Sequence, residues 1–112
     1  MKTQSAKAKG RRLQQWVRDM IYKTFPVLKE GDVRSTSMGA GGEDIQLSPK
    51  ARKSFPYSVE CKSKAKYAVY KDYDQAVSNC GKYQPLLVIK ADRRDPLVVI
   101  DAKYFFKMVK RK

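Results

Sequence analysis

The sequence contains no histidine and only two cysteines, Cys61 and Cys80. The first absence removes the common zinc patterns and every triad or general base built on imidazole. Two isolated cysteines read as reduced, buried thiols of a cytosolic protein, since free Cys behaves as a small hydrophobe. A disulfide between them needs a geometry that spacing does not reveal. Acidic side chains are sparse: 11 Asp and Glu stand against 25 Lys and Arg, for a net charge of +14. So positive a surface attracts polyanions, nucleic acid first and an anionic membrane second. No apolar run approaches the roughly 18 residues that span a bilayer. The charged start MKTQSAKAKGRR leads into no apolar signal segment. A cytoplasmic protein is therefore expected, and its small size is compatible with a virus-encoded one.

Hydrophobic residues make up 42% of the 112 positions and aromatics 11%, which suits a folded globule of one domain. Residues 1–8 are expected to form a flexible basic arm, and residues 9–112 the domain. From Lys9 to Thr24, Leu13, Trp16, Val17, Met20 and Ile21 form one helical stripe, so Trp16 is read as core. Phe25-Pro26 ends the helix. Val33 to Ser37 reads as a short edge strand, Met38 to Gly42 as a glycine loop, and Asp44 to Leu47 as a half-buried strand. SPKARKS reads as a basic turn. PYSVECKS alternates, sending Val59 and Cys61 to one face and Glu60 and Lys62 to the other.

A second helix is expected from about Val69 to Asn79, with Val69, Tyr73, Ala76, Val77 and Cys80 as its stripe. PLLVIKADRRDPLVVID reads as two strands covered on both faces, around a turn at Asp92 to Asp95. Asp101 caps a last helix carrying Tyr104, Phe105, Phe106 and Met108. The order gives an α/β fold: a mixed central sheet flanked by helices.

Asp44, Glu60 and Lys62 stand out in so basic a chain. If their strands pair as a hairpin, the two carboxylates share a face and sit close. They then repel unless a cation lies between them. Magnesium suits such a place, as a hard ion that takes oxygen ligands and keeps several waters. The Cys61 carbonyl can add a further oxygen. Lys62 can position a water or stabilise charge building on a phosphate. Metal, lysine and carboxylates together are equipment for hydrolysing a phosphodiester, and this chemistry needs no histidine. The alternative reading of the three residues is an ordinary charge cluster on a solvated sheet face.

Three motifs in order carry a resemblance: KGRRLQ (Lys9 to Gln14), VRSTSMGAGGED (Val33 to Asp44) and VECKS (Val59 to Ser63). The chain resembles the PD-(D/E)xK nuclease superfamily, and within it the small archaeal-type and phage Holliday junction resolvases. The resemblance implies a restriction-endonuclease-like αβββαβ core and a magnesium-dependent nuclease, with manganese able to substitute. It implies a homodimer that cuts branched DNA such as a four-way junction. Asp44 and Glu60 would be metal ligands with the Cys61 carbonyl, Lys62 the catalytic lysine, and Gln75 a glutamine near the site. The first helix departs from the pattern, because Gln14 stands where these resolvases carry glutamate. A neutral amide is no anionic ligand, though it can hold a water or a phosphate.

The expected DNA contacts are Lys9, Arg11, Arg12, Gln14, Arg34, Ser35, Ser37, Lys50, Arg52, Lys53, Lys64 and Lys66. Cations of this kind fix position on the backbone without reading sequence. Tyr67, Tyr70 and Tyr73 are spaced by three with lysines among them; Tyr73 is read as core, which leaves Tyr67 or Tyr70 exposed for a stacking surface. The apolar part of a dimer surface is expected from the last helix. Two rivals remain: a related nuclease acting on duplex, nicked or single-stranded DNA, and a basic nucleic-acid-binding protein that does not cut.

Overall fold

Leu13, Val17 and Ile21 recur at helical spacing, are buried, and drive the first helix, α1 (Lys2–Thr24), of the computed structural model. The structure describes residues 2–36, 42–66 and 68–110, with side chains from Ala6 onward. Ser37, the glycine loop at residues 38–41, Tyr67 and the last two residues of the terminal KRK lie outside the described residues. Helix α1 begins well before Lys9, so the expected arm is helical over residues 2–8. No glycine or proline interrupts that stretch, and alanine and lysine favour helix.

The buried face of α1 is rotated from the expected one. Gln14 is 3% exposed and joins the core face, whereas Trp16 is 45% exposed and Met20 also turns outward. The physical reason is the sheet beneath. Its last strand is short, and an apolar groove of about 290 Å³ stays open between α1 and that strand, lined by Trp16 and Met20.

Five strands follow: β1 (Val33–Ser35), β2 (Ile45–Leu47), β3 (Tyr57–Ser63), β4 (Gln84–Lys90) and β5 (Leu97–Val99). β1 and β2 form an antiparallel pair. β3, β4 and β5 form a second, mixed sheet in that order, with β3 parallel to β4 and β5 antiparallel. The fold is α/β, with helices packed against mixed sheets, as expected. It differs in detail, since β2 ladders with β1 and not with β3. The two sheets meet at Asp44, which donates its N–H to the Val59 carbonyl (3.1 Å) and accepts the Thr36 N–H on its own carbonyl (2.9 Å). Tyr22 ties β1 to α1, its hydroxyl exchanging two 3.0 Å bonds with the Val33 backbone.

Val59, Cys61, Leu86 and Val88 face α1 in the main core. By strand alternation Glu60 and Leu87 face the other way, toward helix α3 (Val69–Ser78), which crosses from β3 to β4. Helix α3 buries Asp72 and Ala76, while Val69 and Val77 are exposed, so the expected stripe is turned. β4 is central, but β5 is an exposed edge and not the doubly covered strand its apolar sequence suggests.

The expected basic turn contains a helix, α2 (Pro49–Ser54). Ser48 caps it, accepting the Ala51 N–H (3.1 Å), and proline fits the first helical position. The Ser48 hydroxyl also donates to Asp32 (2.7 Å). The Asp32 carboxyl is held below its ordinary value, chiefly by the Lys29 N–H and then by Ser48. Ser48→Ala is expected to cost about 1 kcal/mol in urea unfolding and to return the Asp32 carboxyl toward its usual range. The last helix, α4 (Ala102–Lys110), is capped by Asp101 as expected, through the Tyr104 N–H (2.9 Å). It docks through Tyr104, whose hydroxyl donates to that of Tyr57 (2.7 Å), while Phe105 and Phe106 stay exposed.

Candidate active site

The free edge of β3 organises the site. Odd residues of this strand turn their backbone groups toward Asp44. Val59 gives its carbonyl, and Cys61 donates its N–H to Asp44 Oδ2 at 2.7 Å. The Asp44 carboxylate thus occupies the place of a strand partner. In an extended strand the N–H and C=O of one residue face the same edge, so the Cys61 carbonyl points to Asp44's side as well.

Glu60 is 4% exposed and sits beside Leu87 in the parallel register. Lys62 Nζ lies 3.4 Å from Glu60 Oε2, and the Asn79 side-chain amide donates to Glu60 Oε1 at 3.4 Å. Burial raises the pKa of Asp44 against the Cys61 N–H and the Lys62 charge, which lower it. Burial also raises that of Glu60, and the Asp44 charge raises it further. The Cys61 thiol is pushed well above its ordinary value, first by burial and then by both carboxylates. Neither cysteine is in a disulfide: Cys61 is buried and Cys80 half-buried.

Two buried carboxylates, the charge of Asp44 raising the cost of ionising Glu60, with one ammonium 3.4 Å from Glu60, form a place with negative charge to spare. A divalent cation fits that electrostatic need. Among the described residues no group of three His, Cys, Asp or Glu side chains is placed to hold a metal. Any ion would rest on Asp44, Glu60 and the Cys61 carbonyl and keep several waters, as magnesium does. A cleft of about 370 Å³ lies alongside, lined by residues 42–43, Gln46 and residues 79–83.

The other expected residues divide. Gln75 is exposed on α3, and Asn79, one turn later, reaches Glu60 in its place. The four-residue interval was the available signal. Gln14 is buried in the packing face of α1, so it is no surface contact for DNA. Arg52 is committed to structure: it pairs with Glu43, donates to the Tyr57 carbonyl (3.0 Å) and lies over the Tyr83 ring. Lys9 pairs with Asp92 (2.9 Å), Lys64 with the buried Asp72 (3.0 Å), and Lys50 donates to the Val27 carbonyl (2.9 Å). Arg11, Arg12, Arg34, Lys53 and Lys66 are exposed, and Ser35 is half-buried. Lys82, on the cleft wall, is a cation that the sequence motifs did not single out. No described helix is long and apolar enough to cross a membrane. Comparison with family models, with curated proteins and with solved structures gave no match.

Proposed function

We propose that the protein is a magnesium-dependent DNA endonuclease of the resolvase-like PD-(D/E)xK kind, acting on branched DNA. The observation that carries the reading is the gathering of Asp44, Glu60 and Lys62 at one edge of β3, with the Cys61 N–H fixing Asp44 at 2.7 Å. A hard divalent ion held there, magnesium or manganese, would supply Lewis-acid polarisation of a phosphoryl oxygen and a more acidic attacking water.

The chain's own residues do the rest. The Cys61 N–H locks the orientation of the Asp44 carboxylate; with about four lone-pair sites, a carboxylate is not exhausted by one such bond. Asn79 and Lys62 hold the two oxygens of Glu60 from different elements. The Lys62 ammonium is partly exposed, so it can meet a phosphate and stabilise the charge that develops on it. Exposed Arg11, Arg12, Arg34, Lys53 and Lys66 offer backbone contacts. A symmetric dimer would present two such sites to the opposed strands of a junction, and α4 carries apolar surface for one.

The test compares a labelled four-way junction with a linear duplex of the same sequence, in magnesium and in EDTA. Cutting of the junction in magnesium, with the duplex left intact, is the expected result. Equal cutting of both substrates would move the protein to a nuclease of linear DNA. Tight, salt-sensitive binding without cutting in any divalent metal would leave a basic binding protein.

A further inference from the structure

We infer that Trp16 and the cations around it form a nucleotide-binding pocket for an unpaired stretch of DNA, separate from the carboxylate site. The inference rests on the DNA-binding half of the proposed function and extends it to a class of substrate structure. Three observations carry it.

First, Trp16 is 45% exposed on a helix whose neighbouring apolar side chains, Leu13 and Val17, are buried. It faces a cavity of about 560 Å³ whose apolar walls include Leu13 and Pro96. An indole over apolar walls accepts any base, because every base has a flat π-face.

Second, the polar wall of that cavity is mainly cationic. Lys9, Arg12, Lys90 and Arg93 line it with two aspartates, of which Asp92 is held by Lys9 at 2.9 Å. Aromatic plane and clustered cations together suit a base attached to its phosphate. A purely apolar partner would leave the arginines desolvated.

Third, Arg93 has a φ of +61°, in the left-handed region. It is the third residue of a turn closed by the Arg94 N–H on the Ala91 carbonyl (3.2 Å), a position where glycine or asparagine sits without strain. Backbone strain of this kind gathers at ligand sites. Here its effect is to keep a guanidinium at the cavity.

The location suits the substrate. β3 and β4 are parallel, and the cavity opens at their carboxyl ends, with Ser63 and Lys90 in its wall. Ser63 directly follows Lys62, and its side chain turns to the opposite face of the strand. A strand whose unpaired base enters the cavity therefore passes the end of β3 that carries the catalytic lysine. Such a pocket favours DNA with bases free to leave the stack, as at a branch point or flap.

Trp16 is the single tryptophan of the chain, so the protein's tryptophan fluorescence comes from the wall of this cavity. The full chain is titrated with oligothymidylate and with a duplex of equal length, in EDTA so that nothing is cut. Binding is followed in parallel by anisotropy of a labelled oligonucleotide. Saturable quenching by the single strand, weaker with duplex, is expected. Trp16→Ala should weaken single-strand binding about tenfold, with Trp16→Phe retaining most of it. Arg93→Gly suits the turn and should lower the slope of log affinity against log salt by about 0.7, one phosphate contact on a single strand. Unchanged Trp16 emission while anisotropy shows the oligonucleotide bound would overturn the pocket. So would emission that changes with protein concentration before DNA is added, which marks an interface between copies. Junction cleavage with a silent Trp16 would sink this inference and spare the nuclease. A responsive Trp16 without cleavage in any metal would do the reverse.

Discussion

Replacing Glu60 with glutamine is expected to abolish cleavage while making the metal-free protein more stable. The two effects have one cause. Burial and the Asp44 charge both raise the pKa of Glu60, so the folded state disfavours its ionised form. That penalty is absent below the pKa of the unfolded chain. It grows as pH rises from there through the raised value in the folded state, and is complete above that value. Glutamine keeps the shape and an acceptor for Asn79 without the charge, so its melting temperature should exceed that of the parent at pH 7. The two should converge in acid. Cleavage should fall at least a thousandfold, corresponding to about 4 kcal/mol of transition-state stabilisation. Magnesium at a hundred times its dissociation constant should stabilise the parent by about 2.7 kcal/mol and the variant far less. Calorimetry with and without the ion reads both quantities. A variant that melts below the parent at neutral pH, yet gains as much from magnesium, would remove Glu60 from the site.

Leu87→Ala is expected to be the most damaging single truncation to the fold. Leu87 is fully buried on the central strand, with β3 on one side and β5 on the other, and lies beside Glu60 in the register. Leucine truncations at such places cost about 2–5 kcal/mol, against a total of about 5–15 kcal/mol for a typical domain. The urea midpoint should fall by about 1–3 M. Leu97→Ala, on the exposed edge strand, should stay within about 0.5 kcal/mol of the parent. Comparable losses at both positions would mean that β5 is covered in solution. Because Leu87 walls the face that holds Glu60, its truncation should also admit water there and lower the pKa of that carboxyl.

Much of this architecture could be read before any coordinates. Alternation in PYSVECKS, the apolar run PLLVIK, the proline stop after Phe25 and the cap at Asp101 each reflect a short-range rule, and each holds. What escaped depends on partners distant in sequence. The phase of α3 was hidden because a charged residue, Asp72, lies on its inner face. Its carboxylate is neutralised by Lys64 from beyond the helix. Trp16 looked like core because nothing in its own helix reveals how far the last strand extends. Helix α2 is six residues long with one buried side chain, too few for a periodic signal, although Ser48-Pro49 marked its start. Asp44, Glu60 and Lys62 were visible as a pattern. The fastening of Asp44 was not, because it uses the backbone of Cys61, and a main-chain donor leaves no mark on residue identity.

That fastening also dictates when the site can exist. Asp44 and its donor are 17 residues apart, and Glu60 and Asn79 are 19 apart on different elements. Closing such loops costs entropy before any contact rewards it, so these contacts need the tertiary fold and not one helix or strand alone. A nascent chain still emerging from the ribosome has the residues but not the constellation. A chain that ends before Asn79 lacks the amide that holds Glu60, so the full set of contacts around that carboxylate waits for the end of α3.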